Sequence, residues 1–226
     1  MRGSDGAVVV FSGGQDSTTC LFWARERWKN GRLYALTFDY GQRHASEIAA
    51  AQEIAAHVAD EHVVFPIREY GKLSQSALTK RMIPVSETGG LGGLPSTFTP
   101  GRNLVFLTIA ASWAISMGLR DVVTGVCETD YSGYPDCRRE TIDAVERAVA
   151  LGNGLTSFFI HTPLMKLSKA DTVRMAWGLG PKCMEAIGRS VTCYHGLRPG
   201  CGECPACLLR AKGFAEAGVA DPARLP

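Results

Sequence analysis

One stretch constrains this chain more than any other: Ala7 to Cys20, reading AVVVFSGGQDSTTC. Ala7 to Phe11 is an apolar, largely β-branched run of the kind that forms a strand buried on both faces of a parallel sheet. Ser12-Gly13-Gly14-Gln15-Asp16-Ser17 then turns sharply into Thr18 to Trp28, whose apolar periodicity is that of a helix. Strand, glycine turn and helix together make an anion site. The paired glycines let the backbone turn tightly and approach an anion, and the first N–H groups of the helix point at it with the positive end of the helix dipole behind them. Ser12, Ser17 and Thr18 add hydroxyl donors.

The chain contains no G-x-x-x-x-G-K-[ST] and no G-x-G-x-x-G, which argues against a γ-phosphate-transferring P-loop and a dinucleotide fold. S-G-G-x-D-S resembles instead the PP-loop of the ATP pyrophosphatases, which split ATP between its α and β phosphates, adenylate a substrate oxygen and release pyrophosphate.

At 226 residues the chain is long enough for one α/β domain with an appendage. A formal charge of +2 lacks the Lys/Arg excess of a phosphate-tracking surface, so no nucleic-acid partner is expected. No apolar run reaches the roughly 18 residues of a membrane span, and the polar start before the first strand does not read as a signal peptide. A cytoplasmic protein without a membrane partner is expected, and there the eight cysteines read as thiols or metal ligands rather than disulfides.

Beyond the first helix, Arg32 to Asp39 reads as a strand, Ala45 to Ala59 as a helix and Glu61 to Pro66 as a strand. Leu104 to Met117 is a long apolar helix, Asp121 to Val126 a strand, Arg138 to Leu151 a helix and Thr156 to His161 a strand. This alternation predicts a doubly wound, Rossmann-like α/β fold with a parallel sheet, ligands gathering at the carboxyl ends of the strands. Between Lys72 and Arg102, clustered Gly and Pro predict a long loop, either a mobile cover near the site or a disordered excursion.

The second strong motif lies near the other end. Cys193, Cys201, Cys204 and Cys207 have seven, two and two residues between them, a spacing that suits a tetrahedral Cys₄ zinc site. A shell filled by thiolates leaves no position for water, so such a zinc is structural. An iron–sulfur cluster also takes four cysteines and stays open on spacing alone. The expected organisation is a nucleotide-binding domain over 1–188 and a small metal-binding module over 189–226.

Polar residues crowd three expected strand ends. Asp39-Tyr40-Gly41-Gln42-Arg43-His44 precedes a helix; Arg43 and His44 suit an anion, although a plain helix-entry loop has the same composition. Pro100-Gly101-Arg102-Asn103 is another anion-ready helix start. Gly125 to Arg138 combines Glu128, Asp130, Asp136, Tyr131, Tyr134 and Arg138, suited to stacking a flat heterocycle and to holding Mg²⁺ or a purine-like edge, with an ordinary solvated loop as the alternative. After the last strand, Ser168 reads as a helix cap and Lys169 as a cation for phosphate or a surface lysine.

Six blocks run in family order over nearly the whole chain: FSGGQDSTTC, TFDYGQRH, TFTPGRN, TGVCETDYSGYPDCR, TPLMKLSKAD and TCYHG…CGECPACLLRAKGF. They resemble the QueC family of queuosine-precursor biosynthesis. The resemblance implies an adenine-nucleotide-α-hydrolase-like fold, a structural Zn²⁺ on the four cysteines, a homodimer, and conversion of 7-carboxy-7-deazaguanine and ammonia to the nitrile at the expense of two ATP. A relative that stops at the amide, or conjugates the deazaguanine to a protein amine, shares the same motifs. By position, nucleotide binding falls on Phe11, Ser12, Gly13, Gly14, Gln15, Asp16, Ser17, Thr18, Thr19, Cys20 and Leu21. The roles expected on this basis are phosphate and Mg²⁺ binding by the loop with Asp16 and Ser17, charge neutralisation by Arg43, Arg102 or Lys169, and substrate binding by Tyr40, Gln42, His44, Glu128, Asp130, Tyr134, Asp136 and Arg138.

Overall fold

The computed structural model describes residues 5–43, 46–129 and 133–224. Five strands, β1 Gly6–Val10, β2 Arg32–Asp39, β3 Glu61–Pro66, β4 Asp121–Val123 and β5 Phe159–His161, form one sheet in the order β3-β2-β1-β4-β5. Every pairing is parallel. The chain runs outward from β1 in both directions, which makes the crevice between the carboxyl ends of β1 and β4 the switch point of the fold.

Alternation along the strands builds a core on each face. Val8, Tyr34, Leu36 and Phe38 point to the face covered by α4 Arg102–Ser116 and α5 Arg139–Gly152, where the rings of Phe38 and Phe106 stack with centroids 4.1 Å apart. Ala7, Val9, Phe11, Leu33 and Ala35 point to the other, under α1 Gln15–Arg27 and α2 Ser46–Ala55. A short helix, α3 Arg68–Leu73, follows β3. The doubly wound reading is what the structure shows.

Several bounds differ from the sequence reading. Helix α1 begins at Gln15 rather than Thr18, because the turn residues themselves enter the helix. Helix α2 stops at Ala55, where tighter bonds from His57 N–H to Ile54 O and from Val58 N–H to Ala55 O wind the chain out of register. β4 is three residues long: beyond Val123, Gly125 passes over the start of α1, and a Cβ there would sit 3.3 Å from the Ser17 nitrogen. β5 starts at Phe159, where Glu146 Oε2 accepts the Ile160 N–H at 2.7 Å.

The long Gly/Pro segment is stitched together by hydroxyls. Ser96 Oγ donates to Pro84 O at 2.9 Å and accepts from Ser86 N–H at 2.8 Å, and Ser76, Ser96, Thr97 and Thr99 are buried.

Three further helices complete the chain: α6 Lys169–Gly178, α7 Pro181–Arg189 and α8 Pro205–Ala217. They share a core of Val173, Ala176, Cys183, Met184, Ile187 and Phe214. Arg210 of α8 is 4% exposed and fully engaged. Its guanidinium grips Asp221 through Nε and Nη2 at 2.8 and 2.7 Å, and donates to Ser190 Oγ at 2.9 Å and Ile187 O at 3.1 Å. Burial acts to raise the Asp221 carboxyl, but Arg210 holds it below the usual range. Removing one partner strands a buried charge, whereas removing both does not. Arg210→Met is therefore expected to lose roughly 3–5 kcal/mol in a denaturant titration, and Arg210→Met with Asp221→Leu to recover much of it. A double variant no more stable than the single one would show that the pair is not what holds this end of the chain.

Candidate active site

The turn after β1 is built from its backbone outward. Gly13 has φ +78, and a Cβ there would stand 2.6 Å from Glu47 O and 2.7 Å from the Ala51 nitrogen, so helix α2 leaves room only for glycine. Val191 N–H donates to Gly13 O at 3.0 Å and holds the turn from the other side. Inside it, Ser12 Oγ and Ser17 Oγ lie 3.0 Å apart, Ser12 N–H donates to Ser17 Oγ, and Ser17 Oγ donates to Gly14 O at 3.1 Å. Gly14 caps α1 with no side-chain hydrogen bond, leaving the first-turn N–H groups for a ligand. Gln15 N–H reaches Thr192 Oγ1, a long contact of 3.4 Å.

This turn opens into a cavity of about 580 Å³ at the switch point. Phe11, Ser12, Gly14, Gln15, Asp16 and Ser17 line it. Thr18, Thr19, Cys20 and Leu21, which the resemblance also assigns to nucleotide binding, are fully buried and outside its wall, and Thr19 Oγ1 donates to Gln15 O. Lys169, at the start of α6, donates to both oxygens of Asp16 at 2.8 and 2.7 Å. Ser168 caps that helix by accepting the Asp171 N–H at 3.1 Å. The loop carboxylate thus fixes a cation at the anion end.

The opposite wall is aromatic and charged. Phe38, Tyr40 and Phe106 form it with Arg102, the first residue of α4. Burial acts to lower the Arg102 pKa, but the surrounding Tyr40, Asp136 and Cys137 raise it, so its charge is secure. Tyr40 is pushed up to about 12 by burial. Tyr134 lines the cavity as well, its hydroxyl 2.5 Å from Thr97 Oγ1.

Other candidate residues stand elsewhere. Arg43 Nη2 donates to Lys80 O at 2.7 Å and Ile83 O at 2.6 Å, tying down the long loop, and lies outside the cavity wall. Gln42 is in the wall but folds back on its own strand end, accepting from Tyr40 N–H and donating to Phe38 O. Glu128 Oε2 accepts the Arg139 N–H at the start of α5, and Asp136 Oδ2 accepts the Asn103 N–H at the start of α4. Arg138 is exposed at the N-cap of α5. His44 and Asp130, with Tyr131, lie outside the described residues.

Two wall features went unforeseen. One is α8, which presents Ala206, Leu209 and Lys212 to the cavity. The other is Glu47, whose desolvation in the wall pushes its carboxyl up to about 7 against the pull of Arg102. In sequence it is only an acidic residue in a first helical turn, a position that the helix dipole favours everywhere.

The sulfurs of Cys193, Cys201, Cys204 and Cys207 all lie within 4.8 Å of one another, a group able to hold a metal ion. Backbone N–H groups of Cys204 and Glu203 hold the Cys201 thiol down to about 6. Cys20 and Cys183 are buried thiols raised by desolvation. Among the described residues no helix is long and apolar enough to cross a membrane.

A carboxyl whose folded pKa lies above its unfolded value resists ionisation, so Glu47 withdraws stability as pH rises from the ordinary carboxylate range through about 7. Glu47→Gln is expected to unfold at a higher temperature than the parent at pH 8, by on the order of 3 °C, and the gap to close towards pH 5. Thermal unfolding at both pH values checks this; a gap independent of pH would place the Glu47 carboxyl in water.

The family model described as Queuosine biosynthesis protein QueC matches residues 6–218. The 7-cyano-7-deazaguanine synthase of Laribacter hongkongensis is 52% identical over 223 residues, covering 98% of this chain and 95% of that protein. The protein of the same name from Chromobacterium violaceum is 53% identical, covering 96% and 92%. That of Lysinibacillus sphaericus is 50% identical, covering 93% and 94%. A family match spanning the strands, the cavity and the cysteine cluster, with relatives aligned almost end to end, places this chain in the QueC family of queuosine biosynthesis proteins.

Proposed function

We propose that this chain is an ATP-dependent carbon–nitrogen ligase that converts 7-carboxy-7-deazaguanine and ammonia to 7-cyano-7-deazaguanine. The observation that carries the reading is the union, in one cavity, of an anion-binding turn with its Asp16–Lys169 pair and an aromatic wall holding Arg102. The names of the relatives support it.

The chemistry explains why both ends are needed. A carboxylate resists attack by ammonia, being anionic and having only oxide to expel. Attack of its oxygen on the α-phosphorus of ATP releases pyrophosphate and leaves an acyl adenylate; ammonia then displaces AMP and loses a proton to give the amide. The amide oxygen attacks the α-phosphorus of a second ATP and again releases pyrophosphate, and loss of AMP and both N–H protons forms the nitrile. The first-turn N–H groups of α1, with Ser12 and Ser17, would bind the departing pyrophosphate, and Lys169, aimed by Asp16, would neutralise its charge. Bound Mg²⁺ would supply further neutralisation on the phosphate oxygens. Arg102 is suited to the substrate carboxylate, and Tyr40 and Tyr134 to the heterocycle.

The four cysteines fit a single zinc ion. Thiolates at about 2.3 Å from a tetrahedral ion stand about 3.8 Å apart, and Cys201 and Cys207 have their sulfurs 3.8 Å apart. A cluster would place its own irons and sulfides between them. The zinc would be structural, in a module spanning 189–226 beside a nucleotide-binding unit over 1–188. The homodimer enters the proposal from the family resemblance, and the cytoplasmic location from the reading of the sequence.

Mass spectrometry of the products from 7-carboxy-7-deazaguanine, ammonium and Mg-ATP tests the reading. Nitrile with two AMP per product is expected; amide with one AMP, or mass added to protein, would overturn it. Asp16→Ala is expected to lose turnover by on the order of 100-fold or more, and a rate within a few-fold of the parent would remove Asp16 from the machinery. Metal analysis of the purified chain is expected to find zinc, and stoichiometric iron and sulfide would refute the structural-zinc assignment.

A further inference from the structure

Resting on the function proposed above, the remaining question is how the cavity tells the deazaguanine from the adenine that enters with ATP. Three carboxylates among the described residues line the wall: Asp16, Glu47 and Glu87. Asp16 is spent on Lys169 through both oxygens, and Glu87 stands exposed on the long loop. Glu47 is neither. It sits half-buried in the first turn of α2, beside Tyr40 and Arg102, and no hydrogen bond or ion pair joins its carboxylate to another described residue. Glu128 and Asp136, the carboxylates expected to read the base, are occupied as helix caps outside the wall.

A half-buried carboxylate in a cavity wall, with no donor from a described residue, is completed by a ligand that brings its own donors. The ligand that does so must present two donors side by side. The guanine-type edge has them, in N1–H and the 2-amino group. The adenine edge sets its 6-amino donor beside the N1 lone pair, which a carboxylate repels. Tyr40, Phe38 and Phe106 supply an apolar, aromatic surround for such a ring, with Tyr40 and Phe106 centroids 5.5 Å apart. Position is secured by backbone, since the Glu47 carbonyl is what abuts Gly13 of the anion turn.

We propose that the Glu47 carboxylate is the specificity-determining group of this cavity, accepting the N1–H and 2-amino N–H of the deazaguanine and excluding an adenine from the same place. Glu47 takes no part in the adenylation steps.

The test compares 7-carboxy-7-deazaguanine with its 2-desamino analogue on the parent chain and on Glu47→Gln, reading kcat/KM for each and ATP affinity by equilibrium titration. The parent should favour the 2-amino substrate by roughly 10–100-fold, the worth of a hydrogen bond to a charged group. In Glu47→Gln that preference should shrink to within about threefold, through a raised KM for the 2-amino substrate, while ATP affinity is unchanged. Equal losses on both substrates, an undiminished preference, or loss of ATP binding in the variant would each overturn the assignment. A parent chain that binds ATP and turns over neither heterocycle would overturn the proposed function, and this inference with it.

Discussion

The site depends on a helix that begins without a cap. Most helices satisfy their first N–H groups with a Ser, Thr, Asp or Asn side chain, and that choice stabilises the helix at the expense of any ligand. Here Gly14 occupies the cap position with an extended backbone and no side chain to offer. The donors left over are an anion site only if the turn before them keeps its shape when empty. Ser12 and Ser17 brace it from within, α2 from one flank and Val191 from the other. The Asp16–Lys169 pair sets a cation beside the donors, so less reorganisation would be left for a bound anion.

Much of this was legible in the sequence, for reasons that can be named. β1, the turn and α1 carry their signals locally, in β-branched residues, paired glycines and helical periodicity, and they appear where those signals lie. The four cysteines were legible because a metal site needs ligand types that have few other uses in such spacing. The carboxylates after β4 were not. Glu128 and Asp136 have the chemistry of substrate-reading groups, but a carboxylate serves a helix N-terminus equally well, and only the approach of α5 and α4 decides between the two. Arg43 is a parallel case, a guanidinium ready for anions that is engaged by backbone carbonyls of the long loop. That loop read as a mobile cover or a disordered excursion because it is long and clustered with Gly and Pro; its serine and threonine hydroxyls stitch it together, which composition does not distinguish from disorder.

The C-terminal segment is held by a buried charge as well as by the apolar core that α8 shares with α6 and α7. Arg210 gathers Ile187, Ser190 and Asp221 around one guanidinium, and Thr192, within 3.4 Å of it, also meets Gln15 of the anion turn. Cys204 occupies the N-cap position of α8 and Cys207 lies in its first turn, and burial raises both thiols. The cysteine cluster therefore anchors the end of a helix whose other residues reach the cavity wall.

The contact between Gly13 and α2 gives the cavity a built-in ruler. Because backbone meets backbone there, no side-chain rearrangement can lengthen or shorten the span from the anion turn to the first turn of α2. On the proposed function, a nucleotide and an acceptor lying along that span would meet at a separation set by main-chain van der Waals radii. Catalytic groups on loops can drift as sequences diverge, but a gauge made of peptide units keeps its calibration for as long as position 13 carries no side chain.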